Sequence, residues 1–194
     1  MTSSRYDPLP DPNCYPGTGV LRNLANLTNQ DALDLFEAEA VALQATLPLS
    51  EGAYDVVHYC RLHQHLFGLV YPWAGTFRKV RISKAGSMFC YPEHIAAEMD
   101  RVFALLNFGS ADLTDRHTFV TRMTEFLTEL NAIHPFREGN GRTQFAFLMQ
   151  IATALGHRVT PEAVPPETFL QAMIASFQGD TKPLHRALSD MLAA

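Results

Sequence analysis

The chain has 194 residues, of which 47% are hydrophobic and 18% charged. That is enough apolar material for the core of one ordinary domain and too little charge for a disordered segment. The formal net charge is −5, and no dense lysine and arginine cluster occurs, which argues against a nucleic-acid-binding face.

No apolar run reaches the length of roughly 18 residues that a membrane span needs. The opening MTSSRYDPLPDPNCYPG has no apolar segment of the signal-peptide kind, so a cytoplasmic location is expected. Cys14, Cys60 and Cys90 are unevenly spaced and form no C-x-x-C pair; they read as small buried hydrophobes in a reducing compartment. The composition of residues 1–20, rich in proline with asparagine and glycine, disfavours helix and strand and predicts an extended arm. Residues 21–194 read as a single domain.

From Asp31 to the residues before Pro48, Ala32, Leu35, Phe36, Ala38, Glu39, Ala42 and Leu43 give helical spacing with strong helix formers. A second helix is expected from Ser50, as N-cap, to Leu66, with Tyr54, Val57, Leu62 and Leu66 as its apolar positions. Pro72, Gly75, Gly86 and Pro92 then punctuate the chain. Between them TFRKVRIS alternates Phe77, Val80 and Ile82 with Arg78, Lys79 and Arg81, which predicts a short β-hairpin turning near Lys84 to Ser87. Helices resume after Pro92, from Ile95 to Leu106. Thr114 or Asp115 caps a longer helix to Asn131, with Phe119, Met123, Phe126, Leu127 and Leu130 on one face. Further helices are expected from Asn140 to Leu155 with Gly156 as the stop, from Pro165 and Pro166 to Phe177, and from Thr181 to Leu192.

The stretch HPFREGNGRTQF, His134 to Phe145, lies between two of these helices. Gly139 and Gly141 flank Asn140 where a helix begins, so backbone N–H groups and the positive end of the helix dipole can converge on an anion. Arg142 can add a guanidinium to a phosphate oxygen. Glu138 beside such a site makes sense if a divalent metal stands between carboxylate and phosphate. His134 is placed to serve as general base toward an incoming hydroxyl. The spacing thus fits nucleotidyl or phosphoryl transfer onto a hydroxyl. It also fits a plain turn with a Glu138–Arg142 surface pair worth about 0.3–0.5 kcal/mol. Neither H-E-x-x-H nor a P-loop occurs, and His63 and His65 of HQH fall on different sides of a helix.

The stretch resembles the signature of the Fic family, H-x-F-x-[DE]-G-N-G-R-x-x-R, matched at His134, Phe136, Glu138, Gly139, Asn140, Gly141 and Arg142. HLFGLVYPWAGTFRKVRISKAGSMFCYPEHI is similar to the family's flap segment, and YPGTGVLRN to the start of Fic domains in bacterial toxins and secreted effectors. The resemblance covers most of the chain. It implies a mostly α fold, a Fic-type helical domain with one short hairpin flap, and AMP transfer from ATP to a serine, threonine or tyrosine hydroxyl of a target protein.

By family role His134 is the base and Glu138 holds Mg²⁺. Gly139, Asn140 and Gly141 form the anion hole, and Arg142 contacts the β-phosphate. Phe136 is a buried anchor. Val80, Arg81, Ile82, Ser83 and Lys84 are the flap edge that would pair with an extended target segment. DNA gyrase or topoisomerase IV is the first expected target, and a small separate antitoxin the expected inhibitor.

The pattern departs at Phe145, where the family has a second arginine that contacts the γ-phosphate and pairs with an inhibitory glutamate. The inhibitory pattern [ST]-x-x-x-E-[GN] is absent: Glu51-Gly52 is the nearest stretch, but Leu47 stands where Ser or Thr is needed. Either Phe145 packs beside Leu148 and Ala152 and the enzyme still reacts, or the chain is a divergent module with weak activity, another nucleotide donor or a binding role.

Overall fold

The computed structural model describes residues 11–48, 52–84, 87–106 and 112–192. Among them are seven α-helices and one two-stranded antiparallel sheet, the mostly α architecture that the helix signals predict. The backbone falls into two compact units. One takes the described residues up to Ile95 together with Pro135–Thr143; the other takes Ala96–His134 and the chain from Gln144 onward.

In the first unit, α1 (Gln30–Ala45) starts at Asn29, whose side chain accepts from the Ala32 N–H at 3.0 Å. The helix buries Leu33, Glu37 and Ala40, while Leu35 and Leu43 are 63% and 58% exposed. The inward face is therefore not the one that Leu35 and Leu43 predict. Apolar residues lie all round this helix, so periodicity cannot choose the buried side, and Glu37 can be buried because it is partnered.

α1 packs on α2 (Val56–Phe67). The cap of α2 is Asp55, accepting from the His58 N–H at 2.7 Å, and not Ser50, which lies outside the described residues. Tyr54 has a left-handed backbone (φ +53°) and stops the helix from starting earlier. Val57 is exposed; the buried side is His58, Tyr59, Leu62, His63, Leu66 and Phe67.

The hairpin ladder is shorter than the alternation predicts. β1 (Ser83–Lys84) pairs with β2 (Ser87–Met88), Ser83 opposite Met88 and Lys84 opposite Ser87. Phe77 to Ile82 lie outside the ladder. Ile82 is buried as expected, but Arg78 is also buried and Val80 is half-exposed. The Arg78 guanidinium donates to the carbonyls of Val80 (2.7 Å) and Cys90 (2.5 Å), so its charge is satisfied by main-chain oxygens of the two arms.

The described part of the N-terminal arm turns back on itself instead of running extended. Tyr15 N–H donates to Val20 O and Arg22 N–H to Asn13 O, around Gly17 at φ +74°.

The second unit is built on α4 (Arg116–Ile133), which packs against α6 (Pro166–Phe177) and α7 (Lys182–Met191). Asp115 caps α4 by accepting from the Thr118 N–H at 2.8 Å. The predicted face of Phe119, Met123, Phe126, Leu127 and Leu130 is fully buried. Phe126 meets Phe103 of α3 (Ile95–Phe103) edge to face at 5.1 Å, and Phe147 of α5 (Asn140–Ala154) lies 5.6 Å from Phe103. α5 ends ahead of Gly156, whose φ of +81° favours glycine.

All three cysteines are free and half-buried, less enclosed than their composition predicts. No described helix is long and apolar enough to cross a membrane.

Candidate active site

The signature loop from Pro135 to Gly141 is held from below by aromatic stacking and buried hydrogen bonds within the first unit. Phe136 is fully buried, stacked 3.8 Å from the His63 ring and 5.5 Å from Tyr59. It is the anchor that its apolar side chain predicts. The Asn140 amide closes the loop on itself: its Oδ1 accepts from Phe136 N–H (2.9 Å) and its Nδ2 donates to Phe136 O (2.8 Å). The Asn140 side chain is thus committed to shape, which leaves its backbone N–H as the group suited to an anion. Arg78 N–H donates to Pro135 O at 2.8 Å and joins the segment leading into the flap to this loop. Arg137 forms an enclosed ion pair with Asp11 of the arm, both side chains only 9% exposed.

His63 carries more of the loop than its sequence context indicates. Gly75 N–H donates to its Nδ1 (2.8 Å), so the ring proton is on Nε2, which donates to the Glu138 carbonyl (2.9 Å). Burial is the main cause that lowers its pKa from 6.5 to about 4, against the opposing hydrogen bond to Glu138. The unfolded histidine gains its proton near pH 6.5 and the folded one only near pH 4, so stability is present above pH 6.5 and lost on acidification. Unfolding free energy is expected to fall by roughly 3 kcal/mol more in wild type than in His63→Gln between those two pH values. Urea titrations across that range check it; parallel pH profiles for the two proteins would refute it.

The first intrahelical bond of α5 is Thr143 N–H to Gly139 O at 3.0 Å, with Thr143 Oγ1 donating to the same oxygen. The N–H groups of Asn140, Gly141 and Arg142 precede it and so have no helical acceptor. Gly139 takes φ +81°, and a Cβ there would lie 2.4 Å from the Phe67 ring. At Gly141 a Cβ would meet nothing within 4 Å, so the backbone at the helix start faces open space.

Glu138 turns its Oε1 to the Gly139 N–H at 2.9 Å, 3.6 Å from Arg142. Arg142 makes its short ion pair elsewhere, at 2.6 Å with Glu37 of α1, and lies 4.6 Å above the Phe67 ring. Glu37 also accepts from Tyr71 Oη. Spacing does not single out Glu37 or Tyr71, and it marks His63 only as one of two histidines on different sides of a helix. The one available signal for Glu37 is its place on the line Leu33–Glu37–Ala40.

His134 closes the second unit. It is the left-handed C-cap of α4 (φ +50°, ψ +63°), its N–H bonded to Leu130 O. Its Nδ1 lies 3.1 Å from Asn131 O. A carbonyl can only accept, so Nδ1 carries the proton and the lone pair of the neutral ring is on Nε2. Asn131 is itself fixed by donating to Met173 O of α6 at 2.9 Å.

Residues 53–152 match the model of the Fic/DOC family. The chain belongs to the Fic/DOC family. It is 44% identical over 190 residues to the probable protein adenylyltransferase y4lH of Sinorhizobium fredii, covering 97% of this chain and 99% of that protein. It is 34% identical over 182 residues to the protein adenylyltransferase VbhT of Bartonella schoenbuchensis, covering 91% of this chain and 38% of VbhT. The crystal structure of the translocated effector BepC from Bartonella tribocorum, with bound AMPPNP, shares the fold at a TM-score of 0.80 and 22% identity, over 92% of this chain and 95% of that one. In this Fic-family chain the flap residues are placed as follows. The Val80 carbonyl is held by Arg78, the Ile82 carbonyl accepts from Phe89 N–H (3.4 Å), and Ser83 and Lys84 form β1.

Proposed function

We propose that this protein is a protein adenylyltransferase that moves AMP from ATP to a serine, threonine or tyrosine hydroxyl of a target protein. The observation that carries the reading is the start of α5. There leading N–H groups, a glycine open to solvent and a partly exposed guanidinium share one helical turn. The 44% identity to y4lH, a probable protein adenylyltransferase, supports it.

In this reading the target oxygen attacks the α-phosphorus, its proton passes to His134 Nε2, the bond to the β-phosphate oxygen breaks, and pyrophosphate leaves. Gly139, Asn140 and Gly141 offer backbone donors to the phosphates, and Arg142 a guanidinium. Among the described residues no three His, Cys, Asp or Glu side chains gather around a point, so a cation would draw its remaining oxygens from phosphates and water. Glu138 fits that donor set and is the residue that would hold Mg²⁺. The ion supplies neutralisation of phosphate charge, which Arg142, facing both Glu37 and Glu138, cannot supply alone.

Val80, Arg81, Ile82, Ser83 and Lys84 are the edge on which an extended target segment would pair. Phe145 meets Phe169 edge to face at 5.4 Å, which favours a packing role for this departure over a change of chemistry. We further read the chain as a bacterial toxin of the cytoplasm, acting on gyrase or topoisomerase IV and restrained by a separate antitoxin.

The test uses ATP labelled at the α- or the γ-phosphate, with Mg²⁺ and a bacterial lysate. A protein band carrying only the α-label is expected. A band from the γ-label would mean phosphoryl transfer and overturn the reading.

A further inference from the structure

We infer that Glu37 and Tyr71 are positioning residues that hold the Arg142 guanidinium in place for phosphate. The inference rests on the reading of Arg142 as a phosphate ligand. The Glu37 side chain is 2% exposed, whereas that of Arg142 is 37% exposed. The carboxylate therefore grips the guanidinium from the protein side through Nη2 at 2.6 Å, while part of the same group faces solvent. The other carboxylate oxygen accepts from Tyr71 Oη, whose ring stacks on Trp73 at 4.5 Å, so Glu37 is itself fixed. The Phe67 ring, 4.6 Å from Cζ of Arg142, supports one side of the plane. Arginine has a rigid fork of several N–H donors, and both carboxylate contacts, to Glu37 and to Glu138, are made through Nη2, which leaves other donors for phosphate.

The alternative is that Glu37 competes with phosphate for the arginine. Burial decides against it. Drawing Arg142 away would separate an enclosed carboxylate from a guanidinium 2.6 Å distant, which is costlier than binding phosphate on the opposite edge. The side chains also differ in rotamer freedom. An unheld arginine must order its long chain on binding, and this one is ordered beforehand.

The experiment measures ATP affinity by calorimetry and the KM and kcat of label transfer for wild type, Glu37→Gln, Tyr71→Phe, Arg142→Ala and Glu37→Gln/Arg142→Ala, with thermal melts of each. Glu37→Gln is expected to weaken ATP about tenfold in Kd and KM, with kcat at saturating ATP changing less. Tyr71→Phe is expected to move KM the same way by roughly threefold. In the Arg142→Ala background Glu37→Gln is expected to add nothing.

Unchanged KM in both Glu37→Gln and Tyr71→Phe would overturn the inference, and so would tighter ATP binding, which would make Glu37 a competitor. Should Glu37→Gln fail to fold, Tyr71→Phe, which keeps the ion pair, decides alone. If Arg142→Ala itself leaves ATP affinity unaltered, the phosphate reading of Arg142 fails, and that outcome is separate from failure of the clamp.

Discussion

Replacing His134 with alanine is expected to abolish AMP transfer while the domain stays folded. With Nδ1–H donating to Asn131 O, the lone pair of the neutral ring is on Nε2, and Asn131 is tied to α6 through Met173. Loss of a positioned general base costs on the order of 10²–10⁴ in rate. The structural cost is much smaller. The lost hydrogen bond is worth about 1 kcal/mol, and the left-handed backbone at φ +50° already burdens the histidine of the wild type, so alanine adds only the loss of histidine's mild preference for that region. His134→Asn separates the two, since asparagine tolerates this backbone but offers no base. Label transfer at saturating ATP, run beside thermal melts, is the measurement. Both variants should be silent and folded; full activity in either would end the assignment of His134 as base.

Gly139→Ala is expected to cost about 2–5 kcal/mol of stability, combining a left-handed backbone with overpacking. The new Cβ would lie 2.4, 2.5 and 2.9 Å from three carbons of the buried Phe67 ring, at φ +81°. Phe67 cannot yield without effect, because it is fully buried and the Arg142 guanidinium lies 4.6 Å from its ring. Activity should therefore fall together with stability. Gly141→Ala is the contrast: nothing lies within 4 Å of its Cβ. Its stability is expected to stay within about 1 kcal/mol of wild type, while ATP affinity drops because the methyl enters the space above the helix start. Urea unfolding of both variants tests the pair. A Gly139→Ala protein as stable as wild type would show that the Phe67 contact is not tight.

Local chemistry made much of this legible. Phe119, Met123, Phe126, Leu127 and Leu130 repeat on one helical face and are buried there. Asp115 caps the helix they lie on, and Gly156 follows the next one. Such signals reach only a few residues along the chain, so spacing alone reveals them. The signature from His134 to Arg142 is legible for the same reason, being a single contiguous stretch.

Burial of a polar group is a different problem, because it depends on a partner that spacing does not reveal. Glu37 meets Arg142 from 105 positions away, and His63 meets the Glu138 carbonyl from 75. Arg78 was expected outside and lies inside because main-chain oxygens of both flap arms satisfy it. Leu35 and Leu43 were expected inside and lie outside because Leu33, Glu37 and Ala40 form the inward face of α1. The sequence by itself determined the helical class, the cap of α4 at Asp115 and the family signature, since each rests on near neighbours. Only the tertiary structure decided which side of α1 turns inward and which buried groups support Arg142 and Glu138, since a buried charge or imidazole is tolerated only where distant partners meet it.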